Sequence, residues 1–160
     1  MKNLSFLKKW FVPFSVAVIS VFIVSCDKDG DDIEDDKMYT LSGNASGALE
    51  VPAVITSATG TLTGTYNSDN NQLSYNINWI GLSGNVSGMH IHGPAAAGVN
   101  AGVIHPLTVS TNGMTGMGSG TITLADSTEA HLLNGMLYYN IHTALNPDGE
   151  IRSQIAATAQ

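Results

Sequence analysis

Strict alternation of apolar and polar residues over positions 73–79 constrains the fold more than any other feature of the sequence. The apolar members are Leu73, Tyr75, Ile77 and Trp79, and they are separated by Ser74, Asn76 and Asn78. Successive side chains of a β-strand point to opposite faces, so this period of two predicts a strand with one buried and one exposed face. We expect Trp79 to belong to the buried face.

Similar patterns recur along the rest of the chain up to its C-terminus. Alternation is also present at 61–66, 121–124 and 137–141, and further strand candidates lie at 39–49, 86–92, 103–109 and 150–156. No window shows a helical period. The segments 67–71 and 146–149 have the Asn, Asp, Pro and Gly content of tight turns. About eight strands joined by such turns predict an all-β fold, an antiparallel Greek-key sandwich or barrel.

The first 25 residues differ in composition from the rest of the chain. Three lysines precede an almost unbroken apolar run at 10–24, and Cys26 follows shortly after it. This order is typical of a bacterial lipoprotein signal peptide, with Cys26 as the residue that receives the lipid. The alternative is a transmembrane anchor, but such a span needs about 20 apolar residues. We therefore predict a signal peptide over 1–25 and a membrane-anchored chain that begins at Cys26.

Residues 26–37 form a separate acidic segment. Seven of them are Asp or Glu, and Ile33 is the one large aliphatic residue among them. Because so few apolar groups cannot form a core, we predict a flexible, self-repelling tether. Acidic residues directly after the lipidated Cys26 also resemble the surface-export signal of some Gram-negative lipoproteins. We expect the protein at the outer membrane or the cell surface.

Charge and cysteine content exclude several functional classes. The chain has 13 acidic and 6 basic residues, and removal of 1–25 leaves 3 basic residues against the same 13, a net charge of −10. Nucleic-acid binding needs a basic surface, so we predict no nucleic-acid partner. The single cysteine excludes an internal disulfide. No Ser or paired-carboxylate constellation of a hydrolase stands out, and we predict no catalytic residue.

Three segments together resemble a known domain. They are LSGNASGALEVP at 41–52, MHIHGPA at 89–95 followed by Gly98 and Val99, and GMLYYNIHTALNPDGEIRSQI at 135–155. In order and spacing they resemble the CHRD domain, the module repeated in chordin, and we assign 38–160 to it. The resemblance implies an extracytoplasmic, β-rich domain. In animals this domain is part of a protein that sequesters growth factors, whereas bacterial single-domain relatives have no settled activity.

The resemblance thus implies a binding or structural module whose partner is a protein or another ligand of the envelope, such as a glycan. The histidines suggest an alternative with its own chemistry. His90 and His92 are two residues apart and share a strand face, opposite Met89 and Ile91. By the same parity, His142 lies opposite the apolar residues of its own strand. Two imidazoles at this spacing, with a third from a neighbouring strand, suit a copper or zinc site with an open position.

This histidine pattern is similar to the copper half of Cu/Zn superoxide dismutase, an eight-stranded Greek-key barrel with its metal outside the wall. That similarity implies a redox function as a further alternative, although the single cysteine provides no counterpart of the enzyme's disulfide. The structural interpretation is that each histidine bonds the backbone of its own loop. Of the other histidines, His105 is a candidate fourth ligand, and His131 is expected on the solvated surface.

Further residues are expected to support the histidines. Asn140 and Tyr138 lie on the same face as the third histidine and could orient a ligand. Glu150 and Arg152 share a strand face. We expect the guanidinium of Arg152 to pair with Glu50 or Glu150, or to orient an anion at the metal.

Overall fold

The computed structural model describes residues 37–160. Its strands are β1 (Met38–Ser46), β2 (Thr59–Asn67), β3 (Gln72–Ile80), β4 (Val86–His92), β5 (Val103–Pro106), β6 (Gly116–Thr123), β7 (Tyr138–Thr143), β8 (Ile151–Gln154) and β9 (Ala156–Ala159). A 3-10 turn covers Gly47–Leu49, and one helix, α1, covers Asp126–Leu133. The predicted signal peptide, the lipidated Cys26 and the tether up to residue 36 lie outside the described residues. Within 37–160, no helix has the length and hydropathy of a membrane span.

All nine strands belong to one antiparallel sheet. The strand order is β5-β4-β7-β8-β1-β2-β3-β6, and β9 also pairs with β1. Neighbours such as β3 and β6, or β4 and β7, are not consecutive in the chain, as crossing connections of the Greek-key type require. The chain beyond β5 returns to β6, where Ser110 N donates to Met117 O at 2.9 Å. The segment before β6 thus lies beside that strand, and the predicted all-β antiparallel fold is confirmed.

The strand count exceeds the predicted number of about eight because the last predicted strand is split. Ile155 is fully buried between β8 and β9, and its N–H donates to Leu137 O rather than to β1. The chain therefore loses its pairing with β7 at this residue. β8 pairs with β7 and, through Arg152 opposite Ser46, with β1, whereas β9 pairs with β1.

The alternation on β3 buries the expected side chains. Leu73, Tyr75, Ile77 and Trp79 are at most 5% exposed. The hairpin predicted between β2 and β3 also forms, with Asn71 in the left-handed conformation at a φ of 57°. Trp79 is in the core as predicted, and its indole N–H donates to Gly113 O at 2.9 Å.

β6 has a row of glycines opposite these large side chains. Gly116, Gly118 and Gly120 pair in register with Trp79, Ile77 and Tyr75. A Cβ at Gly116 would lie 2.7 Å from the Trp79 ring, and one at Gly120 would lie 2.8 Å from the Tyr75 hydroxyl. Both distances are shorter than ordinary carbon contacts. The glycines thus provide the space that the aromatic rings of β3 occupy.

The absence of a helix was predicted, and this prediction is wrong for α1. Only Thr128 and Leu132 of this two-turn helix are buried. Two buried positions are too few to produce a periodic apolar pattern in the sequence. The first turn is acidic, and Asp126 accepts a hydrogen bond from Asn71 Nδ2 at 2.6 Å.

Candidate functional site

Neighbouring strands bring the predicted histidines together. In the β4–β7 pair, His90 lies opposite Asn140, and Gly88 lies opposite His142. His92 lies opposite Tyr138 in the same ladder. Because side chains alternate along each strand, these residues share one face of the sheet. The other face of β4 packs into the core, where Met89 and Ile91 are 2% and 0% exposed. The predicted parity of β4 is therefore confirmed.

The three imidazole rings converge on one small region. His90 Nδ1 lies 3.1 Å from His142 Nε2. One nitrogen from each of the three histidines lies within 4.8 Å of the other two. Three points so spaced lie within about 3 Å of a common centre, and metal–nitrogen bonds are about 2 Å long. Small rotations of the rings would therefore bring all three nitrogens to bonding distance of one ion.

In two of the three rings, a loop carbonyl determines which nitrogen is available to bind a metal. His92 Nδ1 lies 3.0 Å from Ala101 O, and His142 Nδ1 lies 2.9 Å from Pro147 O. A carbonyl oxygen only accepts, so both Nδ1 atoms carry a proton, and in the neutral form of each ring Nε2 then presents the lone pair. The structural interpretation and the metal hypothesis are thus compatible, since the loop contacts select the tautomer that a metal needs.

The lone pairs of the cluster exceed the available donors. His92 Nε2 is buried and has no hydrogen-bond partner. His142 Nε2 lies 2.9 Å from Asn140 Oδ1, which is itself an acceptor. A cation placed among these atoms would satisfy them. Burial, together with the neighbouring histidines, also lowers the pKa of His90, so that its ring is neutral near pH 7.

Gly88 makes space for two of the rings. A Cβ at this position would lie 3.0 Å from His90 Cε1 and 3.7 Å from His142 Cδ2. The absence of a side chain lets the imidazoles approach each other above the strand.

Burial lowers the pKa of His92. The hydrogen bond between its ring and Ala101 O raises the pKa, but burial has the larger effect.

Arg152 supports the cluster through a stack of planar groups rather than through a carboxylate. The His92 ring is parallel to the Tyr138 ring, with centroids 4.8 Å apart, and Arg152 Cζ lies 3.4 Å from the Tyr138 centroid. The guanidinium donates to Asn100 Oδ1 at 3.0 Å and to Val99 O at 2.7 Å. The predicted ion pair is wrong, because Arg152 forms none with any carboxylate of residues 37–160.

Glu150 does not support the histidines either. Its side chain is fully buried, and it accepts hydrogen bonds from Ser83 N, Ser83 Oγ, Thr143 Oγ1 and Thr56 Oγ1. Burial alone would raise the pKa of Glu150, but these bonds outweigh it and lower the pKa. Strand parity predicted that Glu150 and Arg152 share one face of a strand. However, β8 begins at Ile151, one residue after Glu150, and the alternation of a strand therefore does not apply to Glu150.

A cleft of about 370 Å³ opens beside the cluster. Residues that line it include His92, His142, Asn140, Glu50, Asn100 and Asp148. Glu50 is only 6% exposed, and its Oε1 has no hydrogen-bond partner. Burial raises the pKa of Glu50 to about 7, although the charge of Arg152 and hydrogen bonds from Val51 N–H and Asn140 lower it. From the sequence, Glu50 was expected only as an ion-pair partner of Arg152.

Replacing Glu50 by Gln is expected to change how stability depends on pH. The pKa of Glu50 is about 7 in the folded chain, whereas the ordinary value of this carboxyl group is 4.5, so the folded state binds the proton more tightly. The resulting stabilisation is complete below pH 4.5 and is lost as the pH rises through 7. From pH 4.5 to pH 8, wild type should lose about 3 kcal/mol more unfolding free energy than Glu50→Gln, as measured by urea denaturation. An equal loss in both proteins would contradict the shift.

The other two histidines lie apart from the cluster. His105 is on β5, and its Nδ1 contacts Pro106 O at 2.8 Å. The structure does not bring it to the three histidines, so the hypothesis of a fourth ligand at this position is wrong. His131 is half-buried on α1.

Comparison with known proteins identifies the domain. The family model of the CHRD domain matches residues 41–155, which extend from β1 to the end of β8 and include all three histidines of the cluster. No curated protein and no solved structure matches the chain significantly. The matched region makes up more than two thirds of the 160 residues. The chain therefore belongs to the CHRD domain family.

Proposed function

We propose that this protein is a lipid-anchored, extracytoplasmic binding module that holds a copper or zinc ion on His90, His92 and His142. Membership of the CHRD family supports a binding or structural role. The metal is our addition, and one observation carries it. Ala101 O and Pro147 O each hold the Nδ1 side of a ring, of His92 and His142 respectively, and one nitrogen from each of the three histidines lies within 4.8 Å of the other two.

The choice of metal follows from the donor set. Three neutral imidazoles suit zinc and copper, whereas calcium and magnesium prefer oxygen ligands. Three protein ligands also leave a coordination position for an exogenous molecule. The domain would thus bind its ligand partly through the ion. The redox alternative suggested by the similarity to superoxide dismutase stays a prediction.

Anchoring rests on the sequence of residues 1–37. The apolar run before Cys26 and the acidic residues after it support export and attachment by lipid. Mass spectrometry of the purified chain tests this, since a mature N-terminus at Cys26 with attached acyl chains is expected. An N-terminus at Met1 without lipid would contradict it.

Zinc titration of the chelator-treated full chain in detergent tests the metal site. We expect about one equivalent to bind and at least about a 100-fold loss of affinity in His90→Ala and in His142→Ala, because each removes one of three ligands. His131→Ala is the matched control and should bind as wild type. Bound zinc should also raise the melting temperature of wild type. Failure of both Zn(II) and Cu(II) to bind, or equal binding in all variants, would contradict the proposal.

A further inference from the structure

Two buried acceptor atoms without a partner line the same cleft. Within residues 37–160, the buried side-chain polar atoms that lack a hydrogen bond are Glu50 Oε1 and His92 Nε2. Both residues are more than nine-tenths buried, and both line the cleft beside the histidines. Leaving such an atom unpaired costs about 1 to 3 kcal/mol. The cleft is therefore built to receive groups that satisfy these two atoms.

The charge of the cleft restricts what can bind there. Glu50 and Asp148 contribute carboxylates, Asn100 and Asn140 contribute amides, and none of the described lining residues is Lys or Arg. Arg152 is 1% exposed and directs its Nη atoms to acceptors in the protein. Apart from the ion of the proposed function, an anionic ligand would thus meet only negative charge among the side chains of the cleft. A neutral ligand with hydrogen-bond donors fits this lining.

The side chain of Asn140 indicates the spacing of those donors. Its Oδ1 lies 2.9 Å from His142 Nε2, and its Nδ2 lies on the side of Glu50. Glu50 Oε1 and Asn140 Nδ2 also both lie against Gly149, where a Cβ would collide with each. The carboxyl group and the histidine cluster are thus separated by one amide group. Two hydroxyl groups on adjacent carbons span a similar gap.

We propose that the cleft binds a small neutral molecule with two adjacent hydroxyl groups. One hydroxyl oxygen takes the open position of the ion held by the three histidines, and the other hydroxyl donates to Glu50 Oε1. This inference rests on the proposed function, because it requires the ion. Sugars and catechols both carry such a diol. A cleft of about 370 Å³ is within the range of small-molecule sites.

Calorimetric titration of the zinc-loaded full chain tests the inference, in a detergent without sugar groups. The probes are methyl α-mannoside and catechol, which distinguish the two sources of a diol, and phenol, which has one hydroxyl. We expect at least one diol to bind, at least about tenfold more weakly after zinc removal and in Glu50→Gln. Phenol should bind at least about tenfold more weakly than catechol. Glu129→Gln on α1, outside the cleft, is the matched control and should behave as wild type.

The outcomes separate this inference from the proposed function. If zinc binds through the histidines but neither diol binds, the inference fails and the proposed function stands. It also fails if a diol binds equally well without zinc, or if phenol binds as tightly as catechol. Retained zinc affinity in Glu50→Gln shows that this variant is folded, and undiminished diol binding in it would overturn the role of Glu50. If zinc itself does not bind, the proposed function fails.

Discussion

Replacing Arg152 by methionine is expected to lower the free energy of unfolding by about 3 to 5 kcal/mol. Methionine fills part of the volume but removes the charged donors to Val99 O and Asn100 Oδ1, and it removes the cation over the Tyr138 ring. The carbonyl oxygen of Val99 would then lack the hydrogen bond that Arg152 donates to it. Urea denaturation at pH 7 measures this loss.

Arg152→Lys is the matched control, because it keeps the charge but not the planar fork. Lysine cannot donate to Val99 O and Asn100 Oδ1 while also lying flat on Tyr138, so we expect it to recover less than half of the lost stability. Since Ala101 follows Asn100 and accepts from His92, both variants should also bind zinc more weakly. Wild-type stability in the Lys variant would contradict the role assigned to the stack.

The second large effect is expected at Glu150, where alanine should cost about 3 to 5 kcal/mol. The buried carboxylate accepts from Ser83, Thr143 and Thr56, and its removal leaves the buried Thr143 and the other two donors without this acceptor. Thr56→Val is the comparison. It removes one bond to Glu150 and the bond that Thr56 Oγ1 accepts from Ala58 N, and about 1 to 2 kcal/mol is expected. Urea denaturation of both variants at pH 7 measures the difference.

The effect of Glu150→Ala should depend on pH. Burial alone would raise the pKa of Glu150, but hydrogen bonds lower it below the ordinary value of 4.5. The ionised carboxylate therefore contributes stability that is present above pH 4.5 and is lost as the pH falls through the folded-state pKa. We expect the difference between wild type and Glu150→Ala to be smaller at pH 2 than at pH 7. A difference that grew in acid would contradict the lowered pKa.

Strand parity explains why much of the fold and the histidine cluster could be predicted. On β3 the alternation is complete, and on β4 it separates His90 and His92 from Met89 and Ile91. The antiparallel ladder between β4 and β7 then places His142 beside them. Each of these steps depends on period and pairing, which are properties that the sequence expresses directly.

Strand parity could not predict the surroundings of residues that depend on loops. Glu50 follows the 3-10 turn at Gly47–Leu49, and no period relates it to the histidines. Arg152 was expected to meet a carboxylate, but loop carbonyls and a tyrosine ring surround it. Backbone acceptors are the same for every residue type, so the sequence does not show where a loop will present them. The short helix α1 was missed because tertiary packing buries only two of its side chains.

The glycine row of β6 has a consequence for how related sequences can vary. Tyr75 fills the space that a side chain at Gly120 would otherwise need, whereas a side chain at Gly116 would also meet the backbone carbonyl of Thr111. The volumes at positions 75 and 120 are therefore constrained jointly, and position 116 is constrained by the backbone. We expect homologues with a bulkier residue at position 120 to have a smaller residue at position 75, so that these two positions covary in size.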